Sequence, residues 1–158
     1  MKTVIEVNGK VHELDVPPDE ILLDTLRALG YKGVKRGCET GTCGTCAVLL
    51  DGVPHYSCML LTAAMDGHKV TTIEGLGTPS NPHPIVQAMA EEGGVQCGYC
   101  TPGIVLSAKA LLDENPHPTE AEVREALDGH LCRCTGYVKK VKAVLKAADM
   151  MHRQGGQQ

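Results

Sequence analysis

The sequence predicts an α+β chain in two parts, a strand-rich first part carrying one helix and a second part made of helices alone. Three observations predict it. Two turn dipeptides, Asn8-Gly9 and Asp51-Gly52, each separate short runs rich in Val, Ile and Leu, the strongest local signal for a two-residue β-hairpin. Strand signals then stop at a Pro-rich stretch, residues 77–84, that reads as a linker. Beyond it come paired helix-start signals, Thr101-Pro102 and the capping-box sequence Thr119–Glu122.

Each element follows in order. Strands are expected over Thr3–Val7 and Lys10–Val16, ended by Pro17-Pro18. Asp19 is placed to cap a helix through about Leu29, with Ile21, Leu22, Thr25, Leu26 and Leu29 on one face and Gly30 behind it. A loop with neither helical nor strand period covers Gly37–Cys46. Ala47–Leu50 and Val53–Cys58 form the second hairpin, and His68–Ile73 a further short strand. These elements make a compact domain over residues 1–76. In the second part, residues 77–158, helices are expected over Ile85–Glu92, from Thr101 to about Glu114, from Thr119 to about Leu127, and over Val138–His152. Four short helices make a bundle. The tail Gln154–Gln158 is expected to fray.

Composition narrows the function. The chain has 158 residues, with four Tyr and neither Phe nor Trp, so its cores must be aliphatic. Two cores of roughly 75 residues each are marginal by burial alone, and metal sites are one means of reinforcing them. A formal net charge of −4 argues against a surface that tracks phosphates, so nucleic acid is a poor partner. The chain lacks an apolar run long enough to span a bilayer and begins without the apolar stretch of a secretory signal, so a soluble, cytoplasmic protein is expected. In a reducing compartment, eight cysteines point to metal or redox chemistry rather than to disulfides.

The cysteines fall into two sets. Cys38, Cys43, Cys46 and Cys58 have the C-x4-C-x2-C…C spacing of a plant-type 2Fe–2S site. Gly37, Gly41 and Gly44 suit such a loop, which must turn sharply and bring amides close to sulfur. Structural zinc is the alternative, but zinc motifs usually come as two short C-x2–4-C pairs. The second set, Cys97 and Cys100 with Cys132 and Cys134, is ambiguous between zinc and iron–sulfur on spacing alone. Its pairs flank expected helix N-termini, whose amides and dipoles favour thiolates. The histidines share no ligand-like spacing, and Lys139, Lys140, Lys142 and Lys146 read as a solvated helix face. Met65, Met89, Met150 and Met151 read as fillers of a phenylalanine-free core.

Taken together, GCETGTCGTCAVLLDG (37–52), VQCGYCTPG (95–103) and LCRCTGY (131–137) resemble the small iron–sulfur subunit of the molybdenum hydroxylases, the xanthine oxidase family. The likeness extends over about residues 2–150. It implies a β-grasp, plant-ferredoxin-like domain followed by a four-helix bundle, with all eight cysteines as ligands of two 2Fe–2S clusters. It implies an electron-transfer component with no catalytic residue of its own, beside a large molybdopterin-binding subunit and usually a medium FAD-binding subunit. The expected assembly is a hetero-oligomer, for which a dimer of heterotrimers is one form. By the same resemblance Gln96 contacts the pterin, and Cys134 is both iron ligand and the point nearest the pterin. Electrons then pass through the second cluster to the first, and on to flavin or an external acceptor. His130 departs from the Asn common before LCRCTGY, which puts local hydrogen bonding in question. A free-standing two-cluster ferredoxin is the alternative, although such a shuttle needs only the first domain. A zinc-stabilised interaction module is the other, distinguishable by its lack of colour.

Overall fold

The computed structural model describes residues 1–155 and contains five α-helices and a five-stranded mixed sheet among them. Strands β1 (Lys2–Val7) and β2 (Lys10–Asp15) pair antiparallel, with Val7 opposite Lys10. Both turn residues between them have positive φ, 51° at Asn8 and 81° at Gly9, as a twisted two-residue hairpin requires. Asp51 and Gly52 repeat the arrangement between β3 (Ala47–Leu50) and β4 (Val53–Tyr56). Strand β5 (Lys69–Thr71) then enters between the hairpins, parallel to β1 and antiparallel to β3, giving the order β2-β1-β5-β3-β4.

The expected strand at His68–Ile73 is shorter because turn side chains take over its ends. Asp51 accepts from the Lys69 amide at 2.9 Å, and Asn8 accepts from the Thr72 amide at 2.9 Å. Residues chosen for their turn conformation thus also fasten the inserted strand.

Helix α1 (Leu22–Ala28) covers one face of the sheet and starts later than expected. Asp19 does not cap it. The Leu22 amide bonds to Leu60 O and the Thr62 amide to Glu20 O, both at 2.8 Å, so Ile21 is held extended opposite Leu61. A long-range strand-like bridge has displaced the local capping signal. Leu22, Leu23 and Leu26 are buried against Ile5, Val7, Val48 and Val70, each full burial being worth about 2 kcal/mol.

The Pro-rich linker folds into a small hairpin, β6 (Gly77–Thr78) with β7 (Asn81–Pro82). It leads into α2 (Pro84–Glu91), whose start is capped by His83 Nδ1 accepting from the Ile85 amide at 3.3 Å. Helix α3 (Thr101–Glu114) has Cys100 at its N-cap position, one residue before the expected Thr101, with no side-chain cap bond. The capping box at Thr119 forms as expected and begins α4 (Glu120–Leu127). Helix α5 (Val138–Gly155) is three residues longer than expected, and the last three residues of the tail expected to fray lie outside the described residues.

The four helices share one aliphatic core built on Ile85, Met89, Ile104, Leu106, Leu112, Val123 and Val144, and Leu49 and Leu76 enter it from the first part. Met65 and Met89 are buried, while Met150 and Met151 pack at the edge of the helical core. Among the described residues no helix is long and apolar enough to cross a membrane.

Candidate iron–sulfur sites

The loop before β3 surrounds Cys38 with donors. Its Sγ accepts from the amides of Thr40 at 3.4 Å and of Thr42 and Cys43 at 3.3 Å each. The Thr40 hydroxyl and these three amides bring the Cys38 thiol down to about 5, far into thiolate at neutral pH. Such a loop needs its glycines. Gly41 and Gly44 have φ of 71° and 74°, and a Cβ at Gly37 would come 2.6 Å from Cys43 Sγ.

Cys46 and Cys58 form the inner side of this site. Both are buried, Cys58 being returned by the β3–β4 hairpin to a short 3-10 turn at Ser57–Met59. Burial first, and then Cys58, pushes Cys46 up to about 11. Tyr56, two residues before Cys58, has its pKa raised by burial first and then by the charges of Cys46, Cys43, Cys38 and Cys58.

The second set assembles from two loops. The turn after α2 presents Cys97 and Cys100, and the segment between α4 and α5 presents Cys132 and Cys134. Cys97 Sγ and Cys134 Sγ are 3.4 Å apart and exposed. The Tyr99 amide, then Cys134, draws Cys97 down, while Cys97 pushes Cys134 up. Cys100 is buried beside Cys132, and burial together with that neighbour raises it to about 11. Burial pushes Cys132 up as well. The Thr135 hydroxyl and amide, the Cys134 amide and the Lys140 ammonium outweigh it and bring Cys132 down to about 6.

All eight cysteines are unpaired, with Cys46 beside Cys58, Cys97 beside Cys134 and Cys100 beside Cys132. Among the described residues no three Cys, His, Asp or Glu side chains close on a point suited to a single ion. Thiols grouped two and two, with amide donors turned toward sulfur, fit a binuclear iron–sulfur group.

The two sites abut. The Leu131 amide donates to Cys43 O at 3.0 Å, and Tyr56 Oη donates to Gly129 O at 2.8 Å. A Cβ at Gly44 would fall 2.4 Å from Gly129 O, and one at Gly103 would fall 2.3 Å from Gly44 O. His130 is buried at this junction, bonded through Nε2 to Ser107 Oγ at 2.7 Å. Burial lowers it to about 4 against the pull of the Gly44 carbonyl, which its Nδ1 faces without closing a well-formed hydrogen bond. Its ring thus serves the junction and bonds to no cysteine sulfur.

Gln96 is exposed beside Cys97, within a surface that also exposes Val95, Tyr99, Leu131, Tyr137 and Val138. Lys140 corrects the sequence reading: it is buried, while Lys139 and Lys142 are exposed. Its position one and two turns before Val144 and Ala147, on the apolar stripe of α5, is the signal that could have placed it inside. Lys146 is paired with Glu91 and Glu92.

The fold and sites define a two-part 2Fe–2S protein. Residues 5–71 match the family described as "2Fe-2S iron-sulfur cluster binding domain", and residues 72–145 match a second described as "2Fe-2S binding domain". The chain is 44% identical over 146 residues to the nicotinate dehydrogenase small FeS subunit of Eubacterium barkeri, covering 92% of this chain and 93% of that one. Quinoline 2-oxidoreductase from Pseudomonas putida 86 contains a chain that superposes with a TM-score of 0.91 at 38% identity, covering 97% of this chain and 96% of that one. Aldehyde oxidoreductase from Desulfovibrio gigas superposes with a TM-score of 0.93 at 44% identity, but this chain spans 98% of itself and only 17% of that longer protein. The chain belongs to the family of small iron–sulfur subunits of the molybdenum hydroxylases. Its part in such an oxidoreductase is electron transfer through two 2Fe–2S clusters, not bond chemistry on a substrate.

Proposed function

We propose that Cys38, Cys43, Cys46 and Cys58 hold one cluster, that Cys97, Cys100, Cys132 and Cys134 hold the other, and that electrons enter at Cys134. A 2Fe–2S cluster takes up and releases one electron at a time. The observation that carries the direction of flow is exposure. Cys97 and Cys134 form the open edge of the second site, amid the apolar surface that includes Val95, Tyr99, Leu131 and Tyr137. A patch of that kind suits a protein partner. Gln96, at the same edge, offers an amide that can both donate to and accept from a pterin.

The partner on this reading is a large molybdopterin-binding subunit, with a medium FAD-binding subunit or an external acceptor receiving electrons from the first site. A hetero-oligomer in the cytoplasm, for which a dimer of heterotrimers is one form, accords with it. So does a division into a β-grasp domain, residues 1–76, and a four-helix bundle, residues 77–158, each centred on its own core.

Substitution Gln96→Ala in the assembled enzyme tests the docking edge. Loss of a polar partner at such a contact costs about 1–3 kcal/mol, so substrate-driven reduction of the clusters is expected to slow roughly five- to a hundredfold, or pterin and molybdenum content to fall. Glu13→Ala, on the far hairpin, is the control. An unchanged rate with full cofactor content would remove Gln96 from the contact.

A further inference from the structure

Lys140 is only 1% exposed. Its Nζ donates to Gly94 O at 2.8 Å and to Thr135 Oγ1, two acceptors that carry no charge. Among the described residues no carboxylate pairs with it, whereas Lys146 on the same helix takes both Glu91 and Glu92. An ammonium buried in this way is costly unless an anion compensates it. The anion at hand is the second cysteine site. Thr135 Oγ1 bridges to Cys132 Sγ at 3.5 Å, so a single hydroxyl links the Lys140 ammonium to that sulfur.

We propose that Lys140 is the built-in counter-charge of the second iron–sulfur site and raises its reduction potential above the value its four thiolates alone would give. One-electron reduction converts one ferric ion to ferrous and takes the site, thiolates included, from dianion to trianion. No bond breaks and no proton is taken up. A fixed ammonium attracts the trianion more strongly than the dianion, so it favours reduction. Because Lys140 is shielded from water, this influence resists screening by salt. Among the described residues Lys140 is the one buried Lys or Arg, whereas Arg36, next to the first cysteine loop, is exposed and already paired with Asp24 and Glu39. Lys140 therefore acts on the second site and leaves the first nearly unaffected.

The inference rests on Cys97, Cys100, Cys132 and Cys134 holding a cluster. It is tested on the purified full chain by titration with dithionite, following the paramagnetic signal of each reduced site. Lys140→Met is expected to keep both signals and to shift the second site's reduction equilibrium at least tenfold toward the oxidised form, about 59 mV for one electron. The first site should move less than twofold. Equal shifts at both sites, or none at the second, would overturn the proposal.

Lys140→Gln provides a neutral side chain that still donates hydrogen bonds, and it should shift the second site in the same direction. If neither neutral variant holds the second site, Lys140→Arg decides. Retention there shows a requirement for positive charge, and loss shows a requirement of shape that defeats the proposal. Failure of the underlying site assignment is distinguishable, because the unaltered chain would then show no second signal.

Discussion

The amide of Leu131 donates to the carbonyl of Cys43 across 3.0 Å, so one hydrogen bond and one peptide unit separate residues of the two cysteine sets. Leu131 precedes Cys132, and its side chain is 55% exposed. The backbone is therefore committed to the junction while the side chain is left at the open edge of the second site. The two iron–sulfur sites belong to different cores, yet their loops are joined directly.

The junction is expected to fail when crowded. Gly44→Ala places a Cβ against Gly129 O and His130 Nδ1 at a position whose φ is 74°. We predict destabilisation of at least about 2 kcal/mol, from strain at positive φ and from overpacking. Gly52→Ala, also at positive φ but with open space around its Cβ, should cost less. Thermal unfolding of the two variants makes the comparison, and equal losses would show that the close approach at Gly44 carries no weight.

Tyr56→Phe removes the donor to Gly129 O and leaves that carbonyl without its tyrosine partner. A loss of about 1–3 kcal/mol is expected, with both iron sites retained because Tyr56 is not a ligand. Denaturant unfolding together with iron content reads both halves of this prediction.

The prolines and glycines of the chain were legible as punctuation, and with them the two hairpins, the capping box and the order of the helices. The cysteine spacings also pointed to the chemistry. What could not be read was whatever depends on contact between distant segments. Asp19 has the chemistry of a helix cap, but pairing of Glu20 and Leu22 with Thr62 and Leu60 holds the chain extended there. Lys140 resembles its solvated neighbours in composition, and only the helical phase of Val144 and Ala147 betrays its burial. The joining of the two loops through Leu131 and Cys43 leaves no mark in either motif.

The cap of α2 should make stability depend on pH. His83 Nδ1 accepts from the Ile85 amide, which requires the ring to be neutral at that nitrogen, and burial followed by Lys109 holds its pKa below the usual histidine value. The unfolded chain therefore takes up this proton at higher pH than the folded one. Its contribution is complete above the unfolded pKa, near 6.5, and declines as pH falls from there toward the folded value. A cap is worth about 1 kcal/mol. His83→Asn, which keeps an acceptor that does not titrate in this range, should flatten this part of the pH–stability curve. An unaltered slope between pH 7 and 5 would contradict the assignment.

The two sites should be separable by substitution. Cys43→Ser is expected to abolish one of the two paramagnetic signals of the reduced protein and leave the other, since no other residue of the first set lies beyond Cys58. Loss of both signals from a chain that remains folded would mean that the ligands do not divide as proposed.

Metal and sulfide content test the central claim most directly. The chain, purified without oxygen, should contain about four iron and about four acid-labile sulfide, as two binuclear clusters require. Stoichiometric zinc with negligible sulfide would contradict it.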